Sequence, residues 1–430
     1  MNQSKRSSSV VEVMVFAGFM FSSFFSFAED WPQYRGPFLD GTTTEKIGLT
    51  TWPAEGPKVL WRIPAPLGFS SFTISQGQAF TLVARPDQEG ITREVAVAVD
   101  ASSGKELWSF SMCIMKYDGG GDSGSETNSG GDGPRSTPSI DGDRVYLYDS
   151  QLNLYCLGLK DGKTLWQHSV QDEFEGRNIR WQSSASVLIE GDLAIVPGGG
   201  AGQSFLAFNK KTGDLAWKSS DQLMTHATSV PATIHGVRQI IFFTQSGLVS
   251  VDASNGKELW NYPFPYKIST AASPVVNGDK VYCSAGYGVG AGYCQIRKTD
   301  QGFTAEEIWR RPNGLVNHWS TPVLHQGFLF GMFSFKEHGR GPLKCVDLEA
   351  GKEIWEKDGY GPGNVILTGN CLVALADDGH LVLIEPSSSE YKELARAKVV
   401  SGKCWSTPTL SNGRLFVRST VEGVCLDVSR

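Results

Sequence analysis

A short recurring pattern constrains the fold of this chain more strongly than any other feature. Glycine stands four residues after an acidic or amide residue, and tryptophan, preceded by an aliphatic residue, stands four residues after the glycine. The clearest copies occupy residues 100–108, 209–217, 252–260 and 347–355. Successive copies end roughly 40–60 residues apart, and a repeat of this length indicates a propeller or a solenoid.

Further copies of the pattern are incomplete. The copy ending at Trp166 has Gly158 in the acidic position, and the copy ending at Trp309 is more diverged. Leu394 stands where another tryptophan would be, and Trp61 keeps only the last part of the pattern. Together the copies define eight units. We predict that the recurring tryptophan is structural and fills the space between neighbouring units, because one such ring buries about 150–250 Å².

Residues 319–357 show the organisation inside one unit. Four short segments rich in strand-forming residues are separated by a turn at Gly327, a loop through Gly339 and Gly341, and a turn at Gly351. The apolar residues do not recur at helical spacing, so the pattern indicates antiparallel β-structure. Four antiparallel strands per unit are typical of a propeller blade.

The count of units predicts how the ring closes. Seven complete blades are predicted at residues 69–110, 134–169, 182–219, 227–262, 270–311, 319–357 and 362–399. Residues 405–428 supply three strands, and the lone strand at 57–64 supplies the missing fourth. Because proteins avoid unpaired sheet edges, we predict an all-β, eight-bladed propeller of four-stranded antiparallel blades, closed by an N-terminal strand that completes the C-terminal blade.

The residues before the propeller divide into two segments. In residues 1–28, Lys5 and Arg6 precede an apolar run and a small-x-small site, which predicts a secretory signal too short to span a membrane. The alternative is a retained N-terminal anchor. Residues 29–56 form an irregular lead-in whose aromatic residues predict contact with the propeller domain at 57–430. We therefore expect an exported protein, periplasmic or extracellular, without a membrane span in its mature chain.

Charge and cysteine usage narrow the partners and the chemistry. The net charge is −6 and no basic block is present, which argues against nucleic acid or an anionic membrane surface as a partner. Cys156, Cys345 and Cys425 occupy a slot that other units fill with alanine or serine, so we predict buried free thiols. Cys283 and Cys294 flank a glycine-rich turn, and the sequence leaves open whether they form a disulfide.

The repeat resembles that of the pyrroloquinoline-quinone (PQQ) propeller family. That family includes quinoprotein alcohol dehydrogenases and the propeller lipoprotein of the outer-membrane barrel assembly machine. The resemblance covers nearly all of the chain after residue 28, and residues 31–36 (Trp-Pro-Gln-Tyr-Arg-Gly) also look like the start of exported PQQ-like proteins of unassigned role. A shared fold does not settle function.

The resemblance also implies a site, because in this family the cofactor lies over the central channel near the blade starts. The matching positions, with one adjacent arginine, hold Arg135, Arg180, Trp181, His226, His318, Trp319, Asn364 and Trp405. These aromatic and basic residues form a predicted mouth on which a flat anionic ligand such as PQQ would stack. The alternative is that they plug a narrow channel.

Two features of the dehydrogenases are missing from this sequence. They carry adjacent cysteines in a ring disulfide, and a Glu, Asn and Asp set that holds calcium and supplies a base. This chain has no Cys-Cys pair, and its blade starts do not offer that set. We predict no catalytic residue and no metal site, and a non-enzymatic binding or scaffolding propeller that docks an envelope protein or a small ligand. The alternatives are a PQQ-dependent oxidoreductase of the alcohol or sugar dehydrogenase type, and a sugar-binding propeller.

Three glycine-rich segments suggest other sites. Residues 118–133 offer carboxylates at Asp118, Asp122, Glu126 and Asp132, but their spacing does not match a calcium loop and favours a solvated linker. Residues 198–202 and 286–292 lie between predicted strands, whereas a phosphate-binding loop precedes a helix. We therefore predict hairpin turns at both.

Overall fold

In the computed structural model, the described residues are Met1, 30–115, 133–335, 337 and 339–429. Residues 2–28 of the predicted signal segment and the carboxylates of the calcium-loop hypothesis, residues 118–132, lie outside these described residues. Within the described part of the chain, no helix is long and apolar enough to cross a membrane.

The first strand along the chain, β1 (Val59–Pro64), belongs to the last blade, and the strands that follow build the blades in order. Blade 1 contains β2 (Thr73–Ser75), β3 (Gln78–Pro86), β4 (Thr92–Asp100) and β5 (Glu106–Ile114). Blade 2 contains β6 (Ser139–Asp141), β7 (Arg144–Tyr148), β8 (Asn153–Gly158) and β9 (Thr164–Ser169). Blade 3 contains β10 (Leu188–Glu190), β11 (Leu193–Pro197), β12 (Phe205–Asn209) and β13 (Leu215–Ser219). Blade 4 contains β14 (Val230–Ile234), β15 (Val237–Thr244), β16 (Gly247–Asp252) and β17 (Glu258–Pro263).

The remaining strands complete the ring. Blade 5 contains β18 (Val275–Asn277), β19 (Lys280–Ala285), β20 (Gly290–Thr299) and β21 (Gly302–Pro312). Blade 6 contains β22 (Val323–His325), β23 (Phe328–Met332), β24 (Leu343–Asp347) and β25 (Lys352–Lys357). Blade 7 contains β26 (Asn364–Leu367), β27 (Leu372–Leu375), β28 (His380–Ile384) and β29 (Glu393–Lys398). Blade 8 contains β30 (Thr409–Ser411), β31 (Arg414–Arg418), β32 (Glu422–Asp427) and β1.

The eight-bladed architecture and its mode of closure are confirmed. In the described residues each of eight sheets has four antiparallel strands, and in the last sheet β1 pairs with β32. The register places Trp61 opposite Cys425 and Pro64 opposite Glu422. A short helix, α1 (Val170–Glu173), was not expected from the sequence. It begins where the Ser169 side chain accepts the backbone N–H of Asp172, which is a helix N-cap.

The recurring tryptophan packs on the glycine of the next blade, which explains why both residues recur. A Cβ on Gly162 would lie 2.6 Å from the Trp108 ring, and a Cβ on Gly256 would lie 2.5 Å from the Trp217 ring. The indole N–H also donates to a carbonyl in the turn of the next blade, as from Trp217 to Ala253 (3.1 Å). The same ring-on-glycine packing joins Trp61 to Gly104, Trp166 to Gly213 and Trp309 to Gly351. The prediction that the recurring tryptophans fill the gaps between blades is confirmed for these five, whereas the Trp260 indole N–H donates to the Gln239 side chain of its own blade (2.6 Å).

A buried arginine holds the closing blade to the first blade. Arg418, on β31, is 1% exposed. Its guanidinium donates to the carbonyls of Leu82 (2.5 Å), Ala65 (3.2 Å) and Leu67 (2.6 Å), and to the hydroxyl of Thr81 (2.9 Å). Burial lowers the pKa of Arg418 to about 9, so the group is still charged at neutral pH. One side chain thus joins blade 8, blade 1 and the segment that follows β1.

The cysteines and the glycine-rich loops behave as structural elements. Cys156, Cys345 and Cys425 are buried free thiols, as predicted. Cys283 and Cys294 are also free, because the β19–β20 register places Cys283 opposite Gly292 and not opposite Cys294. Residues 198–204 connect β11 to β12, and residues 286–289 connect β19 to β20, so both glycine-rich segments are hairpin connections as predicted.

The lead-in crosses the end of the propeller that carries the turns between first and second strands. Trp31 is buried and forms an antiparallel bridge with Ile74 of blade 1. Thr42 forms a parallel bridge with Leu367 of blade 7. The Glu45 carboxylate then accepts the backbone N–H groups of two blade 8 turn residues, Asn412 and Gly413. The described part of the lead-in therefore lies against the propeller.

Two glycines with similar backbones test the contact between blades. Gly256 (φ +74°) packs under Trp217, whereas a Cβ on Gly278 (φ +64°) would meet no described atom within 4 Å. Gly278→Ala carries only the left-handed backbone penalty, so we expect a loss of about 1 kcal/mol in the free energy of unfolding. Gly256→Ala adds a collision with the indole, and we expect a loss of about 3 kcal/mol. Denaturant unfolding measures both losses; equal losses would contradict the proposed role of the packing.

A second pair of variants tests ring closure. Arg418→Met leaves several buried acceptors without a donor, so we expect the free energy of unfolding to fall by about 3 kcal/mol or more. Arg414→Met is the matched control on the same strand, because Arg414 donates one long bond to Ala101 (3.4 Å). We expect the control to lose about 1 kcal/mol or less. Similar urea midpoints for the two variants would argue against Arg418 as the closing contact.

Candidate functional site

A cavity of about 320 Å³ opens where the blade starts converge on the central channel. Apart from Tyr34 in the lead-in and Tyr287 in the β19–β20 connection, its lining residues precede the first strands of blades 1 to 6 and blade 8, so it lies on the propeller axis. We call this cavity the axial cup. Its lining residues are Tyr34, Phe69, Ser71, Arg135, Trp181, Ser184, Ser186, His226, Thr228, Ser269, Ala271, Tyr287, His318, Trp319, Trp405 and Thr407.

The axial cup brings together most of the side chains that the sequence placed at the mouth. Six of the eight line it, namely Arg135, Trp181, His226, His318, Trp319 and Trp405. Arg180 is exposed, with its guanidinium carbon 4.7 Å from the Trp181 ring centre. Asn364 is buried and donates its amide N–H to the Trp405 carbonyl (2.5 Å), so it positions the Trp405 segment from behind. Cofactor binding by any of the eight residues stays a prediction.

An aromatic wall forms one side of the axial cup. The Trp405 ring lies 4.3 Å from the Trp319 ring and 4.5 Å from the Phe69 ring, with interplanar angles of 31° and 29°. The Trp319 indole N–H donates to the Pro362 carbonyl (2.8 Å), which fixes the ring against blade 7. The ammonium of Lys403 lies 4.9 Å from the Trp405 ring centre, where a cation is attracted to the π face. The wall is therefore rigid before any ligand arrives.

His226 contributes a neutral imidazole to the opposite side. Its Nε2 lies 2.9 Å from the Arg180 carbonyl, which can only accept, so Nε2 carries the proton. Nδ1 then accepts from the Ser269 hydroxyl (3.0 Å). Burial, followed by repulsion from the Arg135 guanidinium, lowers the pKa of His226 to about 4. The Arg135 guanidinium in turn donates to the Trp181 carbonyl.

Hydroxyl groups line the deeper part of the axial cup and join the blades. The Thr407 N–H donates to the Ser71 hydroxyl (2.9 Å), and the Ser71 N–H donates to the Thr137 hydroxyl (3.0 Å). The relay continues from the Thr137 N–H to Ser186 (2.9 Å) and from the Ser186 N–H to Thr228 (3.0 Å). These hydroxyls position the walls by accepting one N–H each, and each keeps an O–H that can donate.

Tyr34 shows what the sequence analysis missed. It belongs to the lead-in, which crosses the opposite end of the propeller, yet it lines the axial cup. The adjacent Arg35 is 3% exposed and donates to the carbonyls of Thr321 (2.7 Å) and Pro322 (3.0 Å) in blade 6. The lead-in therefore inserts into the channel and closes the far end of the cup. No repeat or periodicity marks these residues; the aromatic character of the segment was the one available signal.

The described residues that line the axial cup provide positive charge and no negative charge. Of the described residues that line it, Arg135 is charged at neutral pH, and none is Asp or Glu. In the same described part of the chain, no group of three or more His, Cys, Asp or Glu side chains is arranged to hold a metal ion. The cup thus combines π faces and positive charge, which suits a flat ligand that carries negative charge.

Comparisons with known proteins agree with the architecture. The PQQ_2 family model, described as outer membrane protein assembly factor BamB, matches residues 92–356. The curated quinohemoprotein alcohol dehydrogenase ADH IIB of Pseudomonas putida is 30% identical over 125 residues. That match spans 28% of this chain and 17% of the length of the dehydrogenase.

Solved structures show the same fold at low sequence identity. The quinohemoprotein alcohol dehydrogenase of Comamonas testosteroni has a TM-score of 0.64 at 12% identity, over 93% of this chain and 81% of that chain. BamB of Moraxella catarrhalis has a TM-score of 0.55 at 14% identity, over 86% of this chain and 97% of that chain. At this level of identity the likeness establishes the fold and leaves function open.

The titration of His226 tests the electrostatics of the axial cup. We expect NMR of histidine-labelled protein to give a pKa of about 4 for His226, and a higher value in Arg135→Gln because the repulsion is removed. Arg238→Ala, which removes an exposed ion pair to Glu190, is the control and should leave that pKa unchanged. Since the folded pKa lies below the unfolded one, the free energy of unfolding should fall as the pH drops from about 6.5 to about 4. A normal His226 pKa in the wild type would contradict this description.

Proposed function

The chain belongs to the PQQ_2 family of PQQ-like β-propellers, and on that premise we propose that it is a non-enzymatic binding propeller of the cell envelope. It docks a protein or a small ligand on its faces, and the axial cup is its principal binding site. The family description, outer membrane protein assembly factor, supports an envelope location. In this proposal residues 1–28 direct export, residues 29–56 form the lead-in and residues 57–430 form one propeller domain.

The composition of the axial cup carries this proposal. Trp181, Trp319 and Trp405 offer indole faces, Arg135 supplies positive charge, and the lining hydroxyls bond to neighbouring blades. Such a surface recognises a flat group by stacking and its negative charge by attraction. Tyr34 limits the depth of the cup, so the ligand enters from the end of the channel that carries the blade starts.

The fit to PQQ is partial. A flat anion suits the aromatic wall and Arg135, which would hold the ligand by stacking and by charge. A bound calcium ion needs several oxygen ligands, usually including carboxylates. Within the described chain no carboxylate lines the axial cup, and the neutral His226 has both ring nitrogens engaged. The described residues therefore do not fit a calcium-assisted quinone with a carboxylate base.

The oxidoreductase alternative keeps one specific observation in its favour, the 30% identity to ADH IIB over 125 residues. That match covers 17% of the length of the dehydrogenase, so most of the enzyme's sequence has no counterpart in the match. The two functions differ in a measurable way. A binding propeller takes up a flat anion and does not turn over alcohol, whereas an oxidoreductase reduces a dye when alcohol, PQQ and calcium are supplied together.

PQQ serves as a flat anionic probe of the axial cup. We expect it to quench tryptophan fluorescence in a saturable manner with EDTA present, and we expect no dye-linked oxidation of alcohols after calcium is added. Arg135→Gln and Trp405→Ala should each weaken binding about tenfold, which corresponds to about 1.4 kcal/mol. Arg238→Ala, remote from the cup, should bind like the wild type.

Two results would argue against the proposal. Affinity that is unchanged in both cup variants would place the site elsewhere on the molecule. Calcium-dependent turnover of alcohol would establish the oxidoreductase. Circular dichroism and melting curves of each variant separate a loss of binding from a loss of fold.

A further inference from the structure

A second cavity of about 540 Å³ lies beside the axial cup, between blades 5 and 6. We call it the side cavity; its lining includes Tyr287, Arg311, Asn313, Leu315, Phe335 and Lys344. Tyr287 lines both cavities. Phe335 lines the side cavity and packs its ring 5.0 Å from His318, which lines the axial cup. The two cavities therefore share a wall.

Tyr287 is held in that wall at a conformational cost. Its φ is 58°, in the left-handed region, which costs about 1–2 kcal/mol for a residue with a side chain. The ring packs edge-on against Phe335 (4.4 Å) and His318 (5.2 Å). Gly286 permits this approach, because a Cβ there would lie 2.8 Å from His318 Nδ1.

Arg311 gives the side cavity a cation that has no carboxylate partner among the described residues. Its guanidinium donates to the carbonyls of Gly351 (3.1 Å), Ala350 (2.9 Å) and Arg310 (3.4 Å). The other charges lining this cavity have different partners. Lys344 is bonded to Glu353 (2.6 Å) and Glu356 (2.8 Å), and the Glu337 carboxylate accepts from Ser334 (2.9 Å) and the Phe335 N–H (2.7 Å). The side cavity is thus lined by two cations, Arg311 and Lys344, and by two carboxylates, Glu337 and Glu353, and among the described residues Arg311 bonds to carbonyls and to no carboxylate.

The aromatic surface of the axial cup favours an aromatic group on the ligand. Trp181, Trp319 and Trp405 line the cup, and an aromatic side chain packs well against tryptophan. The Ser269 hydroxyl donates to His226, whereas the Ser71, Ser186 and Thr228 hydroxyls each accept a backbone N–H and keep an O–H that can donate. The Arg311 guanidinium, which bonds to carbonyls and to no carboxylate among the described residues, adds a preference for a carboxylate, because that group forms a strong bond with a guanidinium.

We propose that the axial cup and the side cavity together bind an extended peptide segment of a partner protein, with an aromatic residue in the cup and a carboxylate at Arg311. This inference rests on the binding role proposed above for the cup. The segment passes over Tyr287, whose ring edge contacts it between the two anchors. Preformed pockets for alternate side chains are a common way to recognise an extended peptide.

The test uses synthetic decapeptides of glycine and serine with one Trp and one Glu, placed two to five positions apart in either order. Binding is measured by calorimetry without a dye, because a flat anionic label would itself suit the cup. Two control peptides replace the Trp by Ala or the Glu by Gln at the same spacing. For at least one spacing, we expect the peptide with both Trp and Glu to bind about tenfold more tightly than the Trp→Ala peptide and about fivefold more tightly than the Glu→Gln peptide.

Protein variants then assign the two anchors. In Arg311→Gln the Glu and Gln peptides should bind equally, while the preference for Trp remains. In Trp405→Ala the preference for Trp should disappear. Arg297→Gln is the control, because Arg297 is exposed on β20 and pairs with Glu306 (3.1 Å) outside both cavities. It should leave every affinity unchanged.

The outcomes separate this inference from the proposed function. If the Glu and Gln peptides bind the wild type equally, or if Arg311→Gln keeps the difference, the role of Arg311 is overturned. If PQQ quenches the cup tryptophans but no peptide binds, the peptide inference fails and the proposed small-ligand role stands. If neither PQQ nor any peptide binds, both proposals fail.

Discussion

The packing of an indole on the backbone of the next blade is the interaction on which the rest of this structure depends. Gly104, Gly162, Gly213, Gly256 and Gly351 all leave space that a tryptophan of the preceding blade fills. The absence of a side chain allows the ring to lie on the turn, and the ring N–H then reaches a carbonyl of the same turn. Each contact fixes a blade relative to its neighbour, and their repetition sets a common angle around the axis. The contact between Trp61 and Gly104 joins blade 8, through β1, to blade 1.

A ring held in this way presents the blade starts as a rigid frame. The hydroxyl relay through Ser71, Thr137 and Ser186 links those starts to one another. Arg35 anchors the lead-in in the channel, so that Tyr34 ends the cup. The shape of the cup therefore depends on elements from both faces of the propeller. The cup offers a ligand aromatic surface and the positive charge of Arg135, and the Ser71, Ser186 and Thr228 hydroxyls, which each accept one N–H, keep O–H groups that can donate.

The parts of the structure that repeat could be predicted from the sequence, and the parts that occur once could not. Eight units with one incomplete blade at each end predicted the pairing of β1 with β32, and blade-start positions predicted most of the cup. Asn364 fits the same position but turns its amide towards the Trp405 carbonyl, because blade 7 does not line the cup. Tyr34 lies in the irregular lead-in, and Tyr287 lies in a loop where its backbone has a positive φ. Neither segment has a repeating sequence pattern from which its position could be predicted. The free state of Cys283 and Cys294 depends on a register that no local pattern specifies.

Pairing of the first strand with the last has a consequence for how the protein is made. Arg62 of β1 bonds to Glu422 of β32, and these residues are 360 positions apart. Joining the ends of a flexible segment of that length costs about 5 kcal/mol in loop entropy. The strand that leaves the ribosome first is thus among the last to find its partner, and the middle blades can form before it does. Until β32 has been synthesised, β1 has no partner strand, and its backbone N–H and C=O groups stay open to pairing with other chains.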